Sequence, residues 1–355
     1  MIYAYMLICF SLIIFNLLYM FTERWKKGLF RFEDKSFEKI MRKSWEEDVT
    51  NRFRKKLRKK LKNPRYLVAF NKALERFRDN DPVGFNEYIN KIDNTLANIF
   101  VSYEKKDELK VSFLCYLICK YPFFRQRDYR GVVKKLLNIV SWENIYCRIN
   151  AFKALCFLKN IDDIILGFKI LSRQLDLNNP KVIVEVLLSF EGDKNKLMNR
   201  LWGIMDEIPP LYQVAVINYL RFSSGAFREK ILKLNLEKNL DLEVVLASCR
   251  YFSKYKYDQA FPFILELAKL DEKISWEKKA VASTALGSYQ SEKSIEALME
   301  NLSCKNWYVR TNSADSLIKL GLDYLDLIEI MEGKDRYARE SLQYQLDKEK
   351  TRKEV

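Results

Sequence analysis

One feature constrains this chain more than any other: an apolar marker returns about every 32 residues through its C-terminal part. Leu155, Leu187, Leu220, Tyr251, Leu286 and Leu317 are separated by 32, 33, 31, 35 and 31 residues. A period of this size, kept over six copies, is the mark of a helical array in which each unit buries its apolar face only against its neighbours. Ten Gly and seven Pro in 355 residues are too few for a succession of tight β-turns. Hydrophobic residues make up 48% and charged residues 31%, which supplies a sizeable core under a well-solvated surface and argues against disorder.

The period has a recognisable phrase. Trp307-Tyr308-Val309-Arg310-Thr311-Asn312-Ser313-Ala314-Asp315-Ser316-Leu317 aligns with Tyr146-Cys147-Arg148-Ile149-Asn150-Ala151-Phe152-Lys153-Ala154-Leu155. Arg148 falls on Arg310, Asn150 on Asn312 and Leu155 on Leu317. A third copy starts at Trp276, which falls on Trp307, and puts Lys279 on Arg310. Ala151, Ala154, Ala282, Ala285 and Ala314 let adjacent helices approach closely, while large aliphatics fill the layer between them. These segments, together with the linking stretch from Ser294 to Leu302, resemble HEAT repeats of the short bacterial kind also seen in phycobilin-lyase-like proteins.

The resemblance implies an all-α fold, a HEAT-like α-solenoid of paired helices with a concave face. It also implies that Arg148, Asn150, Arg310 and Asn312 are structural, bonding neighbouring repeats. The pattern is specific in 142–158 and in the last two repeats, degenerate between 180 and 260, and only suggestive between 66 and 125. We therefore expect degenerate helical repeats over 66–140, HEAT-like repeats over 141–333, and a C-terminal helix with a charged tail over 334–355.

The beginning of the chain differs in kind. From Ile2 to Phe21 only Ser11 and Asn16 stand outside the apolar and aromatic set. As a helix that run would span roughly 30 Å, the thickness of a bilayer core. No basic n-region precedes it, and Tyr19-Met20-Phe21-Thr22 offers no small-x-small cleavage site, so a retained transmembrane helix over 1–23 is the expectation. Basic residues follow the run and none precedes it. The positive-inside rule then predicts a single-pass protein of the plasma (inner) membrane, with its N-terminus outside and its bulk in the cytosol.

Residues 24–65 carry 17 Lys and Arg against 6 Asp and Glu, whereas the residues after Arg65 carry 45 against 40. Most of the net charge of +15 therefore belongs to this basic juxtamembrane helical segment. Phe37, Ile40, Met41, Trp45, Val49, Phe53, Leu57 and Leu61 recur three or four residues apart and give it one apolar stripe. Asn63-Pro64 closes it. Arg24, Trp25, Lys26 and Lys27 at its start, with Arg52, Arg54, Lys55, Lys56, Arg58, Lys59, Lys60 and Lys62 near its end, are the candidate contacts to anionic lipid headgroups. Each well-placed cation contributes about 1 kcal/mol beside an anionic surface. The near-balanced charge beyond residue 65 speaks against nucleic acid as the partner.

Chemistry is poorly provided for. There are no histidines, so the commonest general base and zinc ligand are missing, along with every Ser-His or Cys-His nucleophile pair. The seven cysteines form no CxxC pair, and most lie in apolar helical runs where a thiol acts as a small hydrophobe. No catalytic residue, metal site or cofactor is nominated, and the chain is read as a non-enzyme. The expected function is a membrane-tethered scaffold for protein partners. Resemblance to bacterial proteins with one span followed by HEAT repeats adds an accessory role in envelope assemblies such as polysaccharide synthesis. Two further readings by resemblance are a nucleic-acid-binding protein of the DNA-glycosylase type and a tetrapyrrole lyase.

Overall fold

The computed structural model describes residues 2–46, 49–124, 129–174 and 179–354. Within the first helix, side chains are described at Tyr3, from Phe10 to Thr22, at Arg24 and at several positions from Lys35 onward. The described chain is helical, with no strand among the described residues, and it divides into two compact units, Met1–Leu171 and Ser172–Val355.

The first unit holds α1 (Ile2–Glu46), α2 (Asn51–Leu61), α3 (Pro64–Asn80), α4 (Pro82–Ser102), α5 (Glu108–Lys120), α6 (Arg130–Ile139), α7 (Ile145–Leu158) and α8 (Ile161–Ser172). The second holds α9 (Pro180–Leu188), α10 (Lys194–Trp202), α11 (Pro210–Ser223), α12 (Arg228–Glu237), α13 (Leu242–Lys254) and α14 (Phe261–Ala268). It continues with α15 (Trp276–Leu286), α16 (Glu292–Asn301), α17 (Trp307–Lys319), the single turn α18 (Ile328–Met331) and α19 (Arg336–Glu354).

Local sequence explains these boundaries. Pro64, Pro82, Pro180 and Pro210 stand at the first residue of α3, α4, α9 and α11, where the missing N–H has no intrahelical partner to lose. Asn144, Asp193, Asp241 and Asn306 cap α7, α10, α13 and α17 with side-chain oxygens that accept backbone N–H bonds. At the far end of α17, Gly321 takes φ +94°. Its N–H reaches the Ile318 carbonyl and the next N–H, of Leu322, reaches that of Leu317, the paired bonds of a Schellman stop.

Helices pack two apart in sequence. In the second unit α9 lies on α11, α11 on α13, α13 on α15, α15 on α17 and α17 on α19. The intervening helices attach to these, α10 to α11, α12 to α13, α14 to α15, α16 to α17 and α18 to α19. The first unit alternates similarly, with α1, α3, α5 and α7 in one succession and α2, α4 and α6 in the other. The odd-numbered helices carry the core. In α11, Ala215, Val216, Ile217, Tyr219 and Leu220 are all fully buried, as expected of a helix packed on several sides. The small residues predicted to permit close approach, Ala151, Ala154, Ala282, Ala285 and Ala314, are likewise fully buried. At Gly287, just past α15, an added Cβ would lie 2.7 Å from Ser316 Oγ and 3.1 Å from Ser316 Cα of α17, so a side chain there would force Ser316 to shift.

The expected transmembrane anchor is corrected. Among the described residues no helix is long and apolar enough to cross a membrane, which overturns the single-pass inner-membrane placement with an outer N-terminus. The exposed apolar stretch that is described runs from Phe10 to Phe21. The polar and charged Thr22, Glu23 and Arg24 follow it directly. The helix does not end with the apolar run either: α1 continues unbroken through Arg24 to Glu46. The apolar stripe expected over 37–61 is carried by two helices. Phe37 and Met41 of α1 and Leu57 and Leu61 of α2 are buried, and Thr50 breaks the chain between them by capping α2 through the Phe53 N–H at 3.2 Å.

Candidate functional site

The basic residues concentrate on α2. Leu57 and Leu61 turn inward, and the helix packs on α3 and α4. Arg52, Arg54, Lys55, Lys56, Arg58, Lys59 and Lys62 are all exposed, and among the described residues none has an ion-pair partner. Lys60 differs. It is half-buried, with its ammonium 4.3 Å from the centre of the Tyr66 ring and 5.8 Å from that of Phe37, so its charge helps to hold α2 against α1 and α3. Arg24 is exposed on α1, and the side chains of Trp25, Lys26 and Lys27 lie outside the described residues. Three basic residues fall in the last turn of α2, where the helix dipole favours positive charge.

A second set of polar groups links successive helices, three of the four bonds spanning 32 or 33 residues and the fourth, from Asn150, spanning 38. Asn312 Nδ2 of α17 donates to the Ala280 carbonyl of α15 at 2.9 Å, 32 residues back. Asn150 Nδ2 of α7 donates to Ser112 Oγ of α5 at 2.9 Å. Lys254 Nζ of α13 donates to the Arg221 carbonyl of α11 at 3.0 Å, 33 residues back, and Asn301 Nδ2 reaches the Ala268 carbonyl at 2.7 Å, again 33 back.

Two tyrosines do the same for loops. Tyr289 Oη donates to the Tyr257 carbonyl and accepts from the Tyr257 N–H, both at 3.2 Å, which satisfies both backbone groups of one residue. Tyr251 Oη donates to the Ser224 carbonyl at 2.8 Å and accepts from the Phe227 N–H at 3.1 Å. Burial pushes the Tyr251 phenol up to about 12, which keeps it a donor at any physiological pH.

Arg310 bonds the loop just before its own helix. Its Nη1 donates to the carbonyls of Cys304 and Lys305, at 2.7 and 3.0 Å, and so fastens the loop that precedes α17. The guanidinium also lies 5.1 Å from the centre of the Tyr337 ring on α19. Arg339 of α19 repeats the arrangement, with Nη1 2.9 Å from the Gly333 carbonyl, six residues back as Cys304 is from Arg310. The signal was present in the sequence: Tyr337-Ala338-Arg339 repeats Tyr308-Val309-Arg310 at the same spacing. Arg148 is fully buried in α7.

Across the exposed sides of α9, α11 and α13 runs a groove of about 640 Å³. Arg221 and Arg250 enter it from α11 and α13. Glu243 stands 4.0 Å from Arg250, while Arg221 Nε is buried with no hydrogen-bond partner. Burial, with the like charge of Arg250 behind it, draws the Arg221 guanidinium below its ordinary value. The Phe222 ring is 53% exposed and lies 4.8 Å from the Arg221 guanidinium carbon. A smaller groove of about 520 Å³ in the first unit is floored by Trp45 stacked on Phe77 at 4.0 Å.

Among the described residues no group of His, Cys, Asp and Glu is arranged to hold a metal ion. The thiols are also poorly placed for nucleophilic work. Burial raises Cys119 and Cys249 to about 12 and Cys147 to about 11, and raises Cys115 and Cys156 further.

No protein-family model matches the chain. No curated protein matches it either. The functional reading therefore rests on the residues themselves.

Proposed function

We propose that this chain is a non-enzymatic α-solenoid of HEAT-like repeats that holds protein partners, with α2 as a separate contact to anionic lipid headgroups. The observation that carries the reading is the ladder of bonds one repeat apart, from Lys254 to Arg221, Tyr289 to Tyr257, Asn301 to Ala268 and Asn312 to Ala280. Such rungs tie each helix pair to its neighbour and to nothing further, which is how linear repeat proteins gain stability while leaving long faces open to partners.

Support for the lipid contact comes from α2. Leu57 and Leu61 are spent on internal packing, and the exposed residues of the helix are all basic apart from Asn51. Eleven residues make a helix of roughly 16 Å, a compact basic patch suited to a flat anionic surface rather than a long groove. The contact is peripheral and electrostatic.

Two experiments test the parts separately. Photo-crosslinkers placed at exposed positions of α11, α13 and α15 in cells that make the protein should yield defined higher-mass adducts, whereas adducts at random positions only would refute the scaffold. Sedimentation with phosphatidylcholine vesicles containing 0 or about 30% phosphatidylserine should show capture only by the anionic ones, weakening with salt. Changing Lys55, Lys56, Arg58 and Lys59 to Gln should abolish it. Equal capture by neutral vesicles, or tighter binding to duplex DNA than to anionic vesicles, would overturn the lipid reading.

A further inference from the structure

The groove across α9, α11 and α13 contains a charge arrangement that packing alone does not explain. Each of the three helices contributes charge: Lys181 and Glu185 from α9, Arg221 from α11, and Glu243 and Arg250 from α13. Glu185 and Glu243 are the acids, and Glu243 is engaged with Arg250 at 4.0 Å. Arg221 is the exception. No ion pair joins it to a carboxylate among the described residues, its Nε is buried without an acceptor, and it shares the groove with the like charge of Arg250. A guanidinium presents a planar fork of donors that matches an oxyanion bidentately, and a buried N–H without an acceptor costs free energy until one arrives.

Beside this fork lies apolar surface. Phe222 is exposed and flanked by two cations, the Arg221 guanidinium at 4.8 Å and the Lys254 ammonium at 5.7 Å from its centre. Val184, Leu188 and Val214 also line the groove. Its volume of about 640 Å³ falls within the range of about 300–1,000 Å³ typical of ligand pockets. The combination calls for an occupant that carries a carboxylate next to an apolar side chain.

We propose that this groove is the docking site for an acidic segment of a partner protein, with Arg221 and Arg250 clamping a carboxylate and Phe222 receiving the adjoining apolar side chain. The inference rests on the scaffold reading and gives its partner a chemistry: Asp- or Glu-rich, with an interleaved Leu or Phe. Lys254 assists by position, since its ammonium already bonds the Arg221 carbonyl at 3.0 Å and holds the end of α11 beside α13.

The test uses the full chain and a fluorescein-labelled octapeptide, Glu-Glu-Leu-Asp-Phe-Glu-Ser-Leu, read by anisotropy at physiological salt. A companion peptide has Gln and Asn in place of the acids. The chain carries a net charge of +15, and its most basic helix is α2, so a variant with Lys55, Lys56 and Lys59 changed to Gln is the essential control. The acidic peptide should bind at least tenfold more tightly than its neutral companion. Arg221→Gln with Arg250→Gln should weaken it at least tenfold, and the α2 variant should change it less than twofold. Arg221→Lys, which keeps the charge and loses the fork, should fall between.

Unchanged affinity in the double Arg variant, or loss of binding in the α2 variant, overturns the groove. Acetate or inorganic phosphate competing as well as the peptide would reduce the site to a free-anion pocket and also overturn it. If crosslinking recovers partners while the double Arg variant binds the peptide normally, the scaffold survives and the groove falls. If the peptide depends on Arg221 and Arg250 while crosslinking recovers nothing, the scaffold falls instead.

Discussion

Changing Tyr251 to Phe removes one oxygen and nothing else, yet that oxygen closes two bonds on the chain segment between α11 and α12. Its hydroxyl donates to the Ser224 carbonyl and accepts from the Phe227 N–H, at 2.8 and 3.1 Å, and the residue is fully buried. A typical internal hydrogen bond contributes about 0.5–1.5 kcal/mol net, and a buried donor left without a partner costs about 1–3 kcal/mol. The ring stays in place, so no cavity term is added. The sum expected for Tyr251→Phe is about 2 kcal/mol. For a unit the size of Ser172–Val355, 1 kcal/mol shifts the midpoint by about 2–4 °C, which predicts a fall in Tm of about 4–8 °C.

Differential scanning calorimetry of the full chain is the assay, with the transition of the second unit followed. Tyr146→Phe, at a residue 74% exposed, serves as the control and should move nothing by more than about 0.5 kcal/mol. Amide exchange at Phe227 should accelerate in Tyr251→Phe. A midpoint within 1 °C of the parent with unchanged exchange at Phe227 would show that loops are not held by these tyrosines.

Three further expectations follow from the same contacts. Gly287→Ala should destabilise the second unit by about 1–3 kcal/mol, because the new Cβ meets Ser316 Oγ at 2.7 Å and backbone at 3.1 Å; denaturant midpoints would check it, and pairing it with Ser316→Gly should restore part of the loss. Cys115, Cys119, Cys147, Cys156 and Cys249 should alkylate with iodoacetamide at pH 8 far more slowly in the native chain than in urea, since burial holds each thiol protonated, and mass mapping that found native-state labelling as fast as unfolded would contradict this. Glu75 is bonded to Lys120, which with its charge holds the carboxyl below its ordinary value, so the pair's stabilisation is present above the unfolded carboxylate range near 4.5 and lost as pH falls through the lower folded value. Solvent screening keeps that contribution under about 1 kcal/mol, and Glu75→Gln should flatten the acid limb of a stability–pH curve by no more than that.

Much of the helical organisation was legible because it is written locally. The repeated phrase at one period and the three-to-four-residue spacing of apolar side chains each declare a helix without reference to distant partners. The Ala positions of the repeated phrase were legible for the same reason, since small residues at one period can only mean close approach. Hydropathy at the N-terminus misled because the apolar run is only the opening of a helix that continues through charged residues to Glu46, and no described helix is long and apolar enough to cross a membrane. Arg339 was hidden by the charged composition of α19, although its Tyr-x-Arg triplet copies that of α17. The tyrosine rungs and the Arg221–Arg250 groove were not legible at all. Both depend on which side chains of successive helices face one another, and sequence spacing does not give that.

The rungs have a mechanical corollary. Several join a helix to the segment about 32 residues before it, as Asn312 joins Ala280 and Tyr289 joins Tyr257. A tether pulling on the C-terminus would therefore load one rung at a time rather than the whole unit. Extension should rise in steps of roughly 110 Å, the length of one released period at about 3.5 Å per residue, so the molecule would yield under tension like a zip opening tooth by tooth.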